Sequence, residues 1–364
     1  MALVAGAAGG GLLGTLNTTT ASNATATSKT VLSTSQIAAR VDPGLVDVVS
    51  TDGDVQATSA GTGIVLTSNG EVLTNNHVIA GATAIKVTDI GNGKTYTAKV
   101  VGYDASHDVA VIQLQNASGL TVASLGDSST VRTGDTVVAL GNAEGKGGTP
   151  SAASGTITAL NQSITASDEL SGVSEQLTGL LQTNADIQPG DSGGSLVNAY
   201  GQVIGMDTAA SSGYSFQSQG SQTTSAYAIP IGEAVSIAKQ IEAGTTSADV
   251  HIGATAFLGV EIAPSTGSSG GGFGGQSGFG GQSSQNGTTG VTIAGALSGS
   301  AAAKAGLTQG DVITAVAGQP VTSSHDVTHT LVKYHPGDSI SISWTDTSGQ
   351  SHTSTLTLAS GPAA

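Results

Sequence analysis

Short apolar runs separated by turn residues dominate the chain. Gly63-Ile64-Val65-Leu66-Thr67 and Val72-Leu73-Thr74 flank Ser68-Asn69-Gly70, and Asn-Gly between apolar runs is a strong hairpin signal. Residues 85–90 and 95–101 flank Gly91-Asn92-Gly93-Lys94 in the same way. Residues 108–114 form a continuous apolar run behind Asp108, as a buried strand does. Residues 136–140, 155–160 and 195–198 repeat the theme, and Leu196-Val197-Asn198 and Val203-Ile204-Gly205-Met206 close over Tyr200-Gly201. Strands this short and this regularly spaced predict a barrel or a sandwich.

The period changes at residues 231–243. Ile231, Val235, Ala238 and Ile241 fall on one helical face, and Gly244 supplies the stop. A second β-rich module follows from Phe257. It carries Val291-Thr292-Ile293, a small-residue helix at 301–305, a strand at 310–316, a helix at 326–333 before Pro336-Gly337, and strands at 339–344 and 352–358.

Three stretches break the pattern. Residues 1–16 are small and apolar, with Gly6, Gly10 and Gly14 four apart as in close-packed membrane helices. They are shorter than the roughly 20 residues a spanning helix needs and lack a basic leader. The stretch reads as a signal or membrane-anchor remnant, or else as a disordered Gly/Ala tail. Residues 17–36 are Ser/Thr/Ala-rich without periodicity and read as a flexible linker. Residues 265–290, inside the second module, are rich in Gly, Ser, Gln and Asn, with Phe273 and Phe279 as the large apolar residues. They read as an insertion that cannot bury enough surface to fold.

The organisation read from the chain is therefore a module at 37–244, a linker at 245–256 and a second module at 257–360. Composition agrees with it: 54 of 364 residues are glycine and only 10% are charged, which suits strands and turns rather than a helical bundle. A formal charge of −15 argues against nucleic-acid binding, because phosphate backbones need basic patches. With no cysteine there is neither a disulfide framework nor a thiolate metal site.

Chemistry centres on Gly190-Asp191-Ser192-Gly193-Gly194. A serine between glycines is common in turns, so its partners matter: His77 in Thr74-Asn75-Asn76-His77-Val78, and Asp108. A serine hydroxyl is a weak nucleophile without an adjacent base, and the base needs an orienting group. An imidazole such as His77 suits the base, because the free side chain titrates near neutral pH. An aspartate such as Asp108 holds the correct tautomer and stabilises the imidazolium. The order His, Asp, Ser is that of chymotrypsin-like hydrolases, not of α/β-hydrolases. The backbone N–H groups of Gly190 and Ser192 are the candidate oxyanion hole, with Gly190 letting the loop approach substrate closely.

Together, residues 61–65, 74–79, 103–114, 190–194 and 228–230 closely resemble HtrA/DegP-type serine proteases, with the actinobacterial PepA-like branch similar through Ile187-Gln188-Pro189-Gly190 to Gly194. The resemblance runs from Ile37 to the C-terminus. It implies a mostly β protein: a chymotrypsin-like domain of two six-stranded β-barrels with the site in the cleft between them, followed by a PDZ domain. It implies a serine endopeptidase acting on unfolded or damaged exported proteins through an acyl-enzyme, without cofactor or metal. Met206, Asp207 and Thr208 are the implied substrate-binding residues, and Asp186, a departure from the family, is a further candidate. Phe257, Leu258, Gly259 and Val260 resemble a carboxylate-binding loop and first groove strand, and 326–333 the groove helix. A PDZ groove takes a peptide C-terminus as an added strand. Further expectations are an extracytoplasmic location, secreted or membrane-anchored, and homotrimers as in relatives.

The sequence departs from the family pattern at Asp191, where relatives commonly have Asn, and at Asp186. An acid six residues before the nucleophile is where trypsin-like enzymes that cut after Arg or Lys carry one. Asp186 either lines the S1 pocket and favours basic P1 residues, or hydrogen-bonds its own loop and leaves a small-aliphatic preference intact. His325 and His329 stand four apart on the predicted helix without a third ligand nearby, Asp52 and Asp54 lack the later glutamate of a calcium loop, and His107 reads as a loop residue. The rival readings are a non-enzymatic peptide-binding scaffold and, more weakly, a small-molecule esterase.

Overall fold

The computed structural model describes residues 31–52, 57–168, 174–208, 214–217, 226–247, 249–263 and 289–361. The stretches at 1–16 and 17–30, Asp54, and the insertion from 265 to 288 lie outside the described residues. No described helix is long and apolar enough to cross a membrane.

Order begins earlier than the composition suggests. Helix α1 (Thr34–Val41) starts inside the stretch read as linker, because Ser33 and Gln36 form a reciprocal capping box. Its Ile37 and Val41, four apart, face the core. There follow β1 (Leu45–Asp52), β2 (Ala57–Val65), β3 (Glu71–Thr74), a single helical turn α2 (Asn76–Ile79), β4 (Ala84–Asp89), β5 (Thr95–Asp104) and β6 (Val109–Leu114). The order β5-β4-β1-β2-β3-β6, with β6 also paired to β5, closes these six strands into a barrel. The β2–β3 hairpin turns where Asn-Gly predicts, with Gly70 at φ +98.

A second barrel repeats the closure with β7 (Thr136–Gly141), β8 (Ser151–Asp168), β9 (Ser174–Thr183), β10 (Ser195–Asn198), β11 (Val203–Thr208), β12 (Tyr214–Gln217) and β13 (Ala226–Pro230). Six of them run β8-β7-β10-β11-β13-β9 and back to β8, with β12 attached outside. Helix α3 (Ile231–Glu242) then lays Ile231, Ala234, Ile237, Ala238 and Ile241 against the core. Strand β14 (Val250–Ile252) pairs with β5 of the first barrel, so part of the stretch read as linker is sheet.

Each barrel has its own apolar interior. A third cluster joins them: Ile64, Leu73, Val109 and Val111 from the first barrel meet Val138, Leu140, Met206 and Ile229 from the second, with α3 alongside. Burying a side chain of this size stabilises by about 1.5–3 kcal/mol. The seam between the barrels is thus built by core residues, and the loops bearing His77, Asp108 and Ser192 converge on it.

The C-terminal module comprises β15 (Ala256–Phe257), β16 (Val260–Ile262), β17 (Val291–Ala296), α4 (Ala301–Ala305), β18 (Val312–Val316), β19 (Gln319–Pro320), α5 (Ser324–Leu331), β20 (Ser339–Thr345), β21 (Ser351–Thr357) and β22 (Ala359–Ser360). Its sheet runs β16-β17-β18-β20-β21, with β16 at an edge, over a core that includes Leu258, Ile293, Ile313, Ile342 and Trp344.

Candidate active site

His77 sits on α2, the turn that β3 enters as it leaves the barrel. Asp108 precedes β6, the neighbour of β3, so the pairing Thr74↔Ala110 sets the two side by side. The Asp108 carboxylate holds the imidazole Nδ1 at 2.8 Å through Oδ2 and the His77 backbone N–H at 3.0 Å through Oδ1. Both side chains are shielded, at 5% and 1% exposure. The carboxylate therefore fixes ring position and tautomer together. Asp108 itself has φ +54, a region asparagine and aspartate tolerate better than most residues. Its carbonyl accepts from Asn75 Nδ2 at 2.9 Å, which anchors this unusual backbone.

The Ser192 loop belongs to the second barrel, just before β10. Gly190 (φ +96) and Gly193 (φ +81) are left-handed, and a Cβ at either would collide with backbone: the Asn142 carbonyl for Gly190, the Thr62 carbonyl for Gly193. The Pro189 carbonyl accepts from Glu144 N–H at 2.6 Å. Carbonyl and N–H of one trans peptide point opposite ways, so the Gly190 N–H faces away from the 142–145 turn.

Two elements join this loop to the first barrel. Thr62 on β2 donates its N–H to the Ser192 carbonyl and its hydroxyl to the Gly190 carbonyl, each at 2.8 Å. On the other side β11 exchanges two 2.9 Å backbone bonds with the loop, Gly193 N–H to Asp207 and Asp207 N–H to Gly194. The next residue, Thr208, donates its hydroxyl to Asp108 Oδ2 at 3.2 Å. Loop, strand and acid form one connected frame.

Two further carboxyls lie beneath it. Asp191 accepts from Gln188 N–H at 2.8 Å and Ser151 Oγ at 3.1 Å; burial, and then the charge of Asp186, push its titration upward. Asp207 is wholly buried, and neither carboxyl oxygen has a hydrogen-bond partner. Burial first, and the Asp191 charge second, drive it well above the usual carboxylate range.

Comparison with known proteins identifies the domains that bear these residues. A trypsin-like peptidase domain model matches residues 61–206, and a PDZ domain model matches residues 256–346. The chain is 33% identical over 340 residues to the serine protease PepD of Mycobacterium tuberculosis, covering 90% of this chain and 66% of PepD. It is 34% identical over 265 residues to the periplasmic serine endoprotease DegP of Escherichia coli, covering 72% of this chain and 49% of DegP. The chain belongs to the HtrA/DegP-type family of trypsin-like serine proteases. It spans about half to two thirds of the length of the curated relatives it matches. A solved structure of the HtrA-type protease AlgW with a tripeptide has a TM-score of 0.49 and 31% identity, covering 91% of this chain and 98% of that one.

Within this HtrA-type frame, the residues expected to bind substrate are placed unevenly. Asp186 is exposed and accepts from Gln188 Nε2 at 2.5 Å. Met206 packs at 0% exposure into the inter-barrel core, and Asp207 is wholly buried under the loop. Alternation along β11 is the reason: all six of its residues are buried, on one side or the other. Thr208 turns to Asp108 instead. His107 takes no part in the site; it pairs with Asp104 at 2.8 Å, and that hydrogen bond raises its titration. Thr62, Asn75 and Asn142 escaped the sequence reading. The glycines on either side of Thr62 were the available sign that something packs closely there.

In the PDZ module, Gly259 has φ +75, and a Cβ there would overlap Ser300. The Gly259 carbonyl accepts from Leu297 N–H at 2.9 Å and from Ser300 Oγ at 3.1 Å, while the Leu258 carbonyl accepts from Ala302 N–H at 3.0 Å. Leu258 is buried in the core, and Val260 begins the edge strand β16, paired on one side with β17.

Proposed function

We propose that this protein is a serine endopeptidase that cleaves unfolded or damaged polypeptides outside the cytoplasm. The observation that carries the reading is the Asp108 carboxylate gripping both the ring and the backbone N–H of His77 at a seam to which the Ser192 loop is bonded from two sides. In this reading Ser192 Oγ attacks the scissile carbonyl while His77 takes its proton. Asp108 keeps the ring oriented and stabilises the imidazolium. The N–H groups of Gly190 and Ser192 receive the charge on the tetrahedral oxygen, a contribution of about 2.7–4 kcal/mol per donor. His77 then returns the proton to the leaving amine, and water hydrolyses the acyl-enzyme by the same route.

The PDZ module takes a peptide C-terminus as a strand on the edge of β16 that no described strand pairs, with Phe257 to Val260 at the carboxylate end and α5 as the facing wall. The periplasmic names of DegP and its like support an extracytoplasmic site of action, with residues 1–16 as export signal or tether. Self-association into trimers completes the reading. The test is hydrolysis of a denatured protein with covalent labelling by a fluorophosphonate. Both are expected to require Ser192, and hydrolysis that survives Ser192→Ala overturns the proposal.

A further inference from the structure

His251, on β14, is buried at the junction of the trypsin-like and PDZ modules. Its Nδ1 lies 2.6 Å from the carbonyl oxygen of Val332, the C-cap residue of α5, and its Nε2 lies 3.0 Å from the carbonyl oxygen of Ala254. Carbonyl oxygens only accept, and a neutral imidazole carries one N–H. A neutral ring would leave one nitrogen lone pair facing a carbonyl lone pair in a site closed to water. Only the doubly protonated ring satisfies both contacts. The carbonyls at a helix C-terminus carry partial negative charge, which suits a cation there.

The ring is also clamped from its faces. Tyr103 of β5 lies 5.2 Å away and His335, in the turn after α5, stacks at 5.1 Å. Both rings are titratable, and no described ion pair includes His251. Tyr103 stays neutral throughout, since burial pushes its phenol up to about 12. Strand β14 is itself bonded to β5 of the first barrel, so a grip on Val332 ties α5 to the protease module.

We propose that His251 is a proton-dependent clamp that locks the PDZ groove helix to the trypsin-like module in acid and releases it as pH rises. The proposal takes α5 as a wall of a peptide groove and so rests on the function read above. Its sign follows from the contacts. In the locked form a neutral ring sets one nitrogen lone pair against a carbonyl, whereas release of Val332 relieves that clash, so the locked form holds the second proton more tightly, is favoured at low pH and is weakened once that proton leaves. Groove occupancy would then be coupled to the protease in acid and uncoupled above it.

Activity is a poor readout, because a general base such as His77 gives hydrolysis a pH dependence of its own. A distance across the junction is better, and the absence of native cysteine allows it. Lys99→Cys on β5 and Thr355→Cys on β21 are exposed label sites, one per module. Double electron–electron resonance on the full chain is expected to give one narrow distance at about pH 5.5 and a broad distribution at about pH 8.5, either side of the imidazole range. In His251→Gln the locked population is expected to fall about tenfold at the acid pH, the scale of one charge-assisted hydrogen bond. His335→Phe keeps a stacking ring and is expected to keep the pH response. In unmutated protein, the imidazole 15N spectrum should report both His251 nitrogens protonated in acid. A narrow distance at both pH values, a response lost in His335→Phe, or a singly protonated His251 in acid overturns the clamp. Hydrolysis of denatured casein by the same samples tests the protease reading separately: inactivity with an intact pH response would sink that reading alone.

Discussion

The hydroxyl of Thr62, on the first barrel, donates to the carbonyl of Gly190, on the second, at 2.8 Å. The Thr62 hydroxyl oxygen accepts from Asn142 N–H at 2.8 Å, and the Thr62 carbonyl accepts from Thr74 Oγ1 at 2.7 Å. One buried threonine therefore sets the height of the proposed nucleophile loop relative to the strand that leads to His77.

Thr62→Val keeps the shape and removes both hydroxyl bonds. A buried acceptor and a buried donor are stranded, at about 1–3 kcal/mol each. The expected result is a melting temperature lowered by several degrees and a kcat reduced about tenfold or more, with KM little changed, because the loop rather than the substrate is disturbed. Paired thermal melts and steady-state kinetics check this; unchanged kcat would show that the loop keeps its geometry without Thr62.

Asp108→Asn and Thr208→Val separate the acid from its support. Asparagine at 108 favours the wrong imidazole tautomer, with an expected loss of about 10⁴ in kcat. Thr208→Val removes one 3.2 Å donor from the carboxylate, for an expected loss of about 3–10-fold. Single-turnover acylation rates with a chromogenic ester measure both, and equal losses would contradict the assigned roles.

Stability should depend on pH through Asp207. Its folded-state titration lies well above that of the unfolded chain, so the folded protein binds the extra proton. Stability from this group is fully present below the ordinary carboxylate range and falls as pH rises toward the raised value. Asp207→Asn is expected to melt about 2–4 °C higher than wild type at neutral pH, roughly 1 kcal/mol, and to match it near pH 4. Calorimetric scans at the two pH values decide; an Asn variant less stable at neutral pH would mean the carboxylate has a partner.

Asp186 should tune P1 preference rather than set it. An exposed carboxylate attracts a cation by only about 0.2–1 kcal/mol, a factor of at most about five. A P1-diversified peptide library should show Asp186→Ala lowering basic over aliphatic cleavage by about that factor. An unchanged profile would remove Asp186 from substrate recognition.

The strands legible in the chain are those whose apolar residues fall in runs, such as β6 and β11, or flank Asn-Gly, such as β2 and β3. The long β8 reads only as a short strand at 155–160, and β9 does not stand out at all. Asn161, Gln162, Ser163 and Ser167 break the apolar run of β8, and the two strands gain their place by pairing with each other through register shifts. Backbone pairing does not need an apolar run, so composition hides it. β14 is hidden for a related reason: three residues become a strand because β5 offers them an edge.

The proposed triad of His77, Asp108 and Ser192 is nameable from local motif and chain order, since the residue types a nucleophile, base and orienting acid require are few. Their frame is not. Thr62, Thr208 and Asn75 are ordinary polar residues whose roles arise from partners 128, 100 and 33 positions away. The sequence alone determined a mostly β chain of two modules, because that follows from hydrophobic pattern and glycine placement, and its motifs carried the resemblance that implied which domains these are and which side chains are the candidate chemical groups. Only the tertiary structure decided that Met206 and Asp207 are sealed in, that Thr208 serves Asp108, and that His251 bridges the modules. Those are contacts between distant segments, and packing rather than local propensity selects them.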